Sequence, residues 1–96
     1  MKMKLLTDFL GFTVKGLVDI PDEVVITCVE EADTVWLTIK VAPSNVGQVI
    51  GKAGRIANAL RTLAIAIART NKDLRLIRID IDAKPLEVLQ AIDQAA

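Results

Sequence analysis

The stretch Asn45–Leu63, NVGQVIGKAGRIANALRTL, decides how this chain is read. Apolar residues recur at helical spacing on both sides of Gly51-Lys52-Ala53-Gly54. Gly in a helix interior costs roughly 1 kcal/mol relative to Ala, so two glycines within four positions predict that one helix ends and a second begins. Gly51 is expected to supply the left-handed conformation that closes the short helix, and Gly54 to leave space beside the start of the long one. With no side chain at either position another backbone can come close. The amides and positive dipole end of the second helix favour an anion, and Lys52 adds a mobile positive charge. The tetrapeptide suits a phosphate seat.

Two other glycine-rich phosphate binders do not fit. A P-loop needs G-x-x-x-x-G-K-[ST] after a strand, but Gly47 is one residue too close to Gly51, and Ala53 replaces the magnesium-binding hydroxyl. A dinucleotide fingerprint joins a strand to a helix, whereas this loop joins two helices.

Working outward, Leu5–Val18 carries Leu6, Phe9, Leu10, Val14, Leu17 and Val18 near helical spacing, with Pro21 as a stop. Glu23–Val29 is dense in β-branched residues. Thr34–Val41 alternates, with Val35, Leu37, Ile39 and Val41 on one face and Thr34, Trp36, Thr38 and Lys40 on the other. The polar EEAD between them predicts a hairpin and hence antiparallel neighbours. Pro43 ends the second strand, Ser44 is the expected N-cap, and Asn45–Ile50 forms a short helix. The long helix runs from Arg55 to about Arg69 with a core stripe of Ile56, Leu60, Leu63 and Ile67. In LRLIRIDID, Arg75, Ile77, Ile79 and Ile81 share one face of a third strand. Pro85 then opens a short terminal helix carrying Leu86, Leu89 and Ile92. The expected class is α+β: order α-β-β-α-α-β, a three-stranded mixed sheet covered on one face by helices, plus a short C-terminal helix.

Composition bounds the rest. The 96 residues are 52% hydrophobic, with one Trp and two Phe, enough for one aliphatic core and too few for two ordinary domains. Cys28 stands alone and there is no histidine, which argues against an intrachain disulfide, a zinc site or a nucleophile–base pair, and fits a reducing, cytoplasmic setting. No cofactor is implied. Asp8 and Lys15 interrupt the apolar N-terminal run, so it reads as a folded helix rather than a signal peptide, and no membrane role is expected. Net charge is zero but uneven. Six acids and no base lie between Asp19 and Asp33, while Ser44–Arg78 holds seven basic residues against Asp73 alone. That asymmetry suits one surface facing a polyanion.

Two helices joined by G-x-x-G, after a hairpin and before a strand, resemble the KH domain in its type II arrangement. PDEV, VAPSNVGQVIGKAGRIANALRT and the short length are similar to the small bacterial single-KH proteins of the KhpA family. The resemblance covers residues 1–82 as a KH domain and leaves 83–96 as a tail. It implies a cytoplasmic RNA-binding protein that pairs with a second KH-containing protein of the kind called KhpB or Jag and affects growth and cell division; a role in post-transcriptional regulation, as a homodimer or with that partner, is the expected function. Ile65 stands where relatives often carry a basic residue.

The residues themselves assemble a site for single-stranded RNA. Gly51, Lys52, Ala53 and Gly54 would hold about four nucleotides of backbone, with Lys52 and Arg55 near the phosphates. Val46, Val49, Ile50, Ile56 and Ile77 are candidate apolar walls for bases, shared with the core. Asn58, Arg61 and Arg75 are candidate donors to base edges or phosphates. Aromatic stacking is scarcely available, so sequence preference should be modest. A dimer is expected, through the alanine-rich helix at Ala57, Ala64, Ala66 and Ala68, because one unit grips few nucleotides. The alternative class is a protein-interaction or dimerisation domain with little RNA affinity, supported by the mean hydropathy of +0.42. An enzyme ranks last, because nothing resembles an activated nucleophile or general base.

Overall fold

The computed structural model describes residues 3–82. The elements follow the expected order: helix α1 (Met3–Lys15), strands β1 (Val25–Glu30) and β2 (Thr34–Lys40), short helix α2 (Val46–Ile50), long helix α3 (Arg55–Thr70) and strand β3 (Leu76–Asp82). The sheet order is β1-β2-β3, with β1 antiparallel and β3 parallel to β2. The hairpin closes where the Glu31 amide donates to the Thr34 carbonyl at 2.8 Å. The terminal helix expected after Pro85 lies outside the described residues.

The period-2 pattern of β2 is realised in burial. Val35, Leu37 and Ile39 face the helices, and Ile77 and Ile79 of β3 join them. From α1, Leu6, Leu10 and Val14 complete a core in which each is fully buried. Cys28 is half-buried against this core, and burial pushes its thiol pKa up.

Four local expectations are corrected. First, α1 ends at Lys15 rather than Val18: the Gly16 amide bonds back to the Phe12 and Thr13 carbonyls, and the chain turns there, well before Pro21. Second, β1 begins at Val25, because Pro21–Glu23 forms a single 3₁₀ turn. Third, Asn45 rather than Ser44 stands at the N-cap of α2, and neither side chain caps the helix. Fourth, the inward stripe of α3 is Ala57, Leu60, Ala64 and Ala68, while Leu63 is half exposed. A helix lying close on a sheet needs small residues where backbone meets strand, so the alanines take the centre and Ile56 and Ile67 flank them.

Candidate nucleic-acid interface

The glycine break is a turn with three left-handed φ values. Gly51 has φ 77° and ψ 171°, Ala53 φ 57°, and Gly54 φ 74°. The Gly51 amide closes α2 by donating to the Gly47 carbonyl at 2.9 Å. A Cβ on Gly51 would lie 2.6 Å from Ile56 Cγ1 and 2.9 Å from the Ile56 nitrogen, whereas a Cβ on Gly54 would meet nothing within 4 Å. The expected division of labour is therefore revised: Gly51 supplies both the conformation and the close approach, and Gly54 the conformation alone. Gly54 N–H donates to the Gly51 carbonyl at 3.1 Å and Arg55 N–H to the Lys52 carbonyl. Those two amides are spent within the turn. Lys52 and Ala53 begin it, so their amides, like the remaining first-turn amides of α3, have no partner inside their own helix.

The electrostatics of this corner are one-sided. The first turn of α3 holds no acidic residue and no side-chain cap, and Lys52 and Arg55 sit exposed beside its positive end. Cations at a helix N-terminus are unfavourable, so the arrangement costs stability until an external anion offsets it.

Along α3, Asn58 and Arg61 follow Arg55 on successive turns, both exposed, and Arg61 Nη1 donates to Asn58 Oδ1 at 3.1 Å. Arg61 also lines a hollow of about 420 Å³ beside β3, with Trp36, Leu76, Ile77, Arg78, Ile79 and Asp80. Of the proposed apolar walls, Ile50 is 37% exposed, and Val46 and Ile56 are half-buried. Val49 is fully buried and Ile77 is 6% exposed, so Val49 supports the groove from the core instead of facing it and Ile77 offers only a sliver of surface.

Arg75 is not brought to this site. It follows the far end of α3, whose 16 residues span about 24 Å. There Nε and Nη2 donate to Asp73 Oδ1 and Oδ2 at 2.9 and 2.6 Å, Nη2 to Glu30 Oε1 at 3.0 Å, and Nη1 to the Glu31 carbonyl at 3.2 Å. These bonds hold the Asp73 carboxyl well below the usual carboxylate range and raise the guanidinium pKa further. Arg69 is likewise committed, donating to the Asp73 and Arg75 carbonyls at 2.7 and 3.0 Å. The basic run therefore divides into a loop pole and a structural pole.

Sequence reasoning missed two positioning residues. Asn45 is 2% exposed and its Oδ1 accepts from the Ile20 amide at 2.9 Å, while Gln48 Oε1 accepts from the Asp19 amide at 3.1 Å. Together they clip the segment after α1 onto α2 and so fix the base of the loop. A side chain bonding an amide 25 residues away leaves no local pattern.

A Gly-x-x-Gly loop between the last two helices of an α-β-β-α-α-β domain defines a KH domain of type II. The chain belongs to the KhpA/KhpB family of KH domains: the model described as KhpA/KhpB, KH domain matches residues 7–81. This is not an enzyme family. Among curated relatives, "RNA-binding protein KhpA" of Aquifex aeolicus is 48% identical over 67 residues, 70% of this chain and 85% of that protein. The protein of the same name from Leifsonia xyli is 40% identical over 77 residues, 80% of this chain and 96% of that one. That of Clostridium acetobutylicum is 52% identical over 54 residues, covering 56% and 72% respectively. No solved structure matches the chain.

Proposed function

We propose that this protein binds single-stranded RNA in the cytoplasm, with the Gly51–Gly54 loop on the sugar-phosphate backbone. The observation that carries the reading is the start of α3: uncapped, free of acidic residues and flanked by Lys52 and Arg55. Relatives named as RNA-binding proteins and the KH fold support the same conclusion. Arg55, Asn58 and Arg61 extend the contact along α3, and Ile50 with the exposed parts of Val46 and Ile56 gives bases an apolar surface. Val49 supports that wall from behind; Arg75 stays at the structural pole. A post-transcriptional role in growth and division, exercised as a homodimer or with a second KH-containing protein, follows from the family resemblance.

A pure interaction module is the competing reading, favoured by the exposure of Leu63 and Ile65 on α3. The two are separated by Lys52→Asp with Ala53→Asp. This variant keeps both glycines, and Asp tolerates the left-handed conformation that position 53 requires, so folding is retained. Single-stranded RNA binding, followed by fluorescence anisotropy, should be lost. Lys52→Ala should weaken all RNA sequences about equally and flatten the logarithmic salt dependence by about 0.7, the single-strand value for one phosphate. A folded double-Asp variant that binds as tightly as wild type overturns the reading and leaves the interaction module.

A further inference from the structure

The helices cover one face of the sheet, and among the described residues no element covers the other. On that open face Val29, Trp36 and Leu76 are 59%, 37% and 51% exposed. The register groups them: Val29 lies opposite Trp36, and Leu76, opposite Thr34, is diagonal to Trp36. The indole is held at two points. Its Nε1 donates to Glu31 Oε1 at 2.7 Å, and the Arg78 guanidinium carbon stands over the ring, 5.5 Å from its centre. A ring fixed in this way has little freedom left to lose when another flat group stacks beside it.

We propose that Trp36 and Arg78 form a second RNA contact, a stacking seat for the base of a nucleotide beyond those held at the Gly51–Gly54 loop, and that it rests on RNA being held at that loop. The loop and the seat are continuous. Arg55, Asn58 and Arg61 succeed one another along α3, which carries Arg61 about 9 Å from Arg55 along the helix axis. Arg61 lines the same hollow of about 420 Å³ as Trp36, Leu76, Arg78 and Asp80, a size that takes one small ligand. RNA leaving the loop along α3 therefore meets Arg61 and then Arg78, the two cations of this lining. Charge decides which part of the nucleotide enters. Asp80 stands among the same lining residues, and its carboxylate repels a phosphate while accepting a neutral base. Bases stack on aromatic rings and on guanidinium planes alike, and every base has a π-face, so the seat lengthens the grip without demanding a sequence. A protein partner is offered less. Away from Trp36 the open face becomes polar, with Val25 standing alone among Thr27, Thr38, Lys40, Asp80 and Asp82, so the apolar patch suits a base and is small for a stable protein interface.

Trp36 is the only tryptophan, so its fluorescence reports the seat directly. Without RNA its emission should be that of a partly exposed indole. An RNA of about four nucleotides, enough for the loop, should leave that emission unchanged, and one of about eight should quench it. In anisotropy titrations Trp36→Leu should weaken the longer RNA about five- to 150-fold, the worth of one stacked base, and leave the shorter one unaffected, with circular dichroism retaining the fold. Trp36→Phe keeps a π-face and should recover most of the loss. Comparing variants at one RNA length keeps the pairing of two units from mimicking the effect. An indole already shielded without RNA assigns the face to protein and overturns the proposal. So does a longer RNA that leaves the emission unchanged, a folded Trp36→Leu that binds it as tightly as wild type, or a Trp36→Phe as weak as Trp36→Leu; the loop reading survives all of these if the Lys52→Asp, Ala53→Asp variant has lost binding. Quenching and affinity that persist in that double variant overturn the loop reading instead and leave the stacking contact in place.

Discussion

At Gly51 and Gly54 the same methyl group meets different surroundings. On Gly54 it would find open space, leaving only the cost of holding an L-residue left-handed, about 1–2 kcal/mol. On Gly51 it would meet the Ile56 side chain and nitrogen, in a backbone region reserved almost wholly for glycine. Backbone strain of about 1–3 kcal/mol then adds to overpacking of similar size. Urea denaturation should therefore rank Gly51→Ala as the more damaging by about 1–3 kcal/mol, the overpacking that only Gly51 incurs, and equal losses would refute the geometry assigned to the turn. Ala53 carries part of the same cost already at φ 57°. A non-glycine residue held left-handed beside two glycines fits a loop whose shape serves a ligand rather than the fold alone.

The elements were legible where one periodicity dominated and illegible where tertiary contacts overrode it. The alternation of β2 and the break at Gly51–Gly54 could be read directly from the sequence, because each rests on local chemistry. The stripe of α3 was rotated in the reading, since residue size pointed to Leu63 and close packing on the sheet selected Ala57, Ala64 and Ala68. Within the site, Lys52, Arg55, Asn58 and Arg61 fall together because one loop and one helix carry them. Arg75 failed for the converse reason: its partners Glu30 and Asp73 become visible only when β1 and β3 meet the same corner. That corner also makes a pH-dependent contribution. Asp73 has its pKa lowered in the fold by hydrogen bonds from Arg75, so its stabilisation is fully present above the unfolded carboxyl value of about 3.9 and fades as pH falls below it. Asp73→Asn should thus be less stable than wild type at neutral pH. The gap, measured by thermal unfolding across an acid series, should narrow progressively below about pH 4. A gap that stays constant into strong acid would show that the carboxylate charge is not what holds the turn.

For the whole molecule, the contact expected for a dimer has to be moved before it can be tested. Ala57, Ala64 and Ala68 are 6%, 0% and 0% exposed and belong to the protein's own core, so they are not available to a partner. The exposed apolar stripe of α3 is Ala59, Leu63 and Ala66, at i, i+4 and i+7, with Leu63 50% exposed between two small residues. An opposing helix centred on Leu63 could approach closely there, on the side of α3 away from Arg61. Pairing two KH units joins two weak grips on one RNA, and effective concentration can raise the joint affinity by roughly 10²–10⁴ without any new RNA contact. Leu63→Glu should therefore convert the protein to a monomer in sedimentation equilibrium and weaken binding to RNA long enough for two units. Binding to an RNA that fits a single unit should stay unchanged. Because Leu63 is a surface residue away from caps and special backbone geometry, its own fold should lose no more than about 0.5 kcal/mol. A wild-type protein that is monomeric at high concentration and finds no KH partner, or a variant that loses short- and long-RNA binding alike, would remove the dimer from the account and leave each unit to act alone.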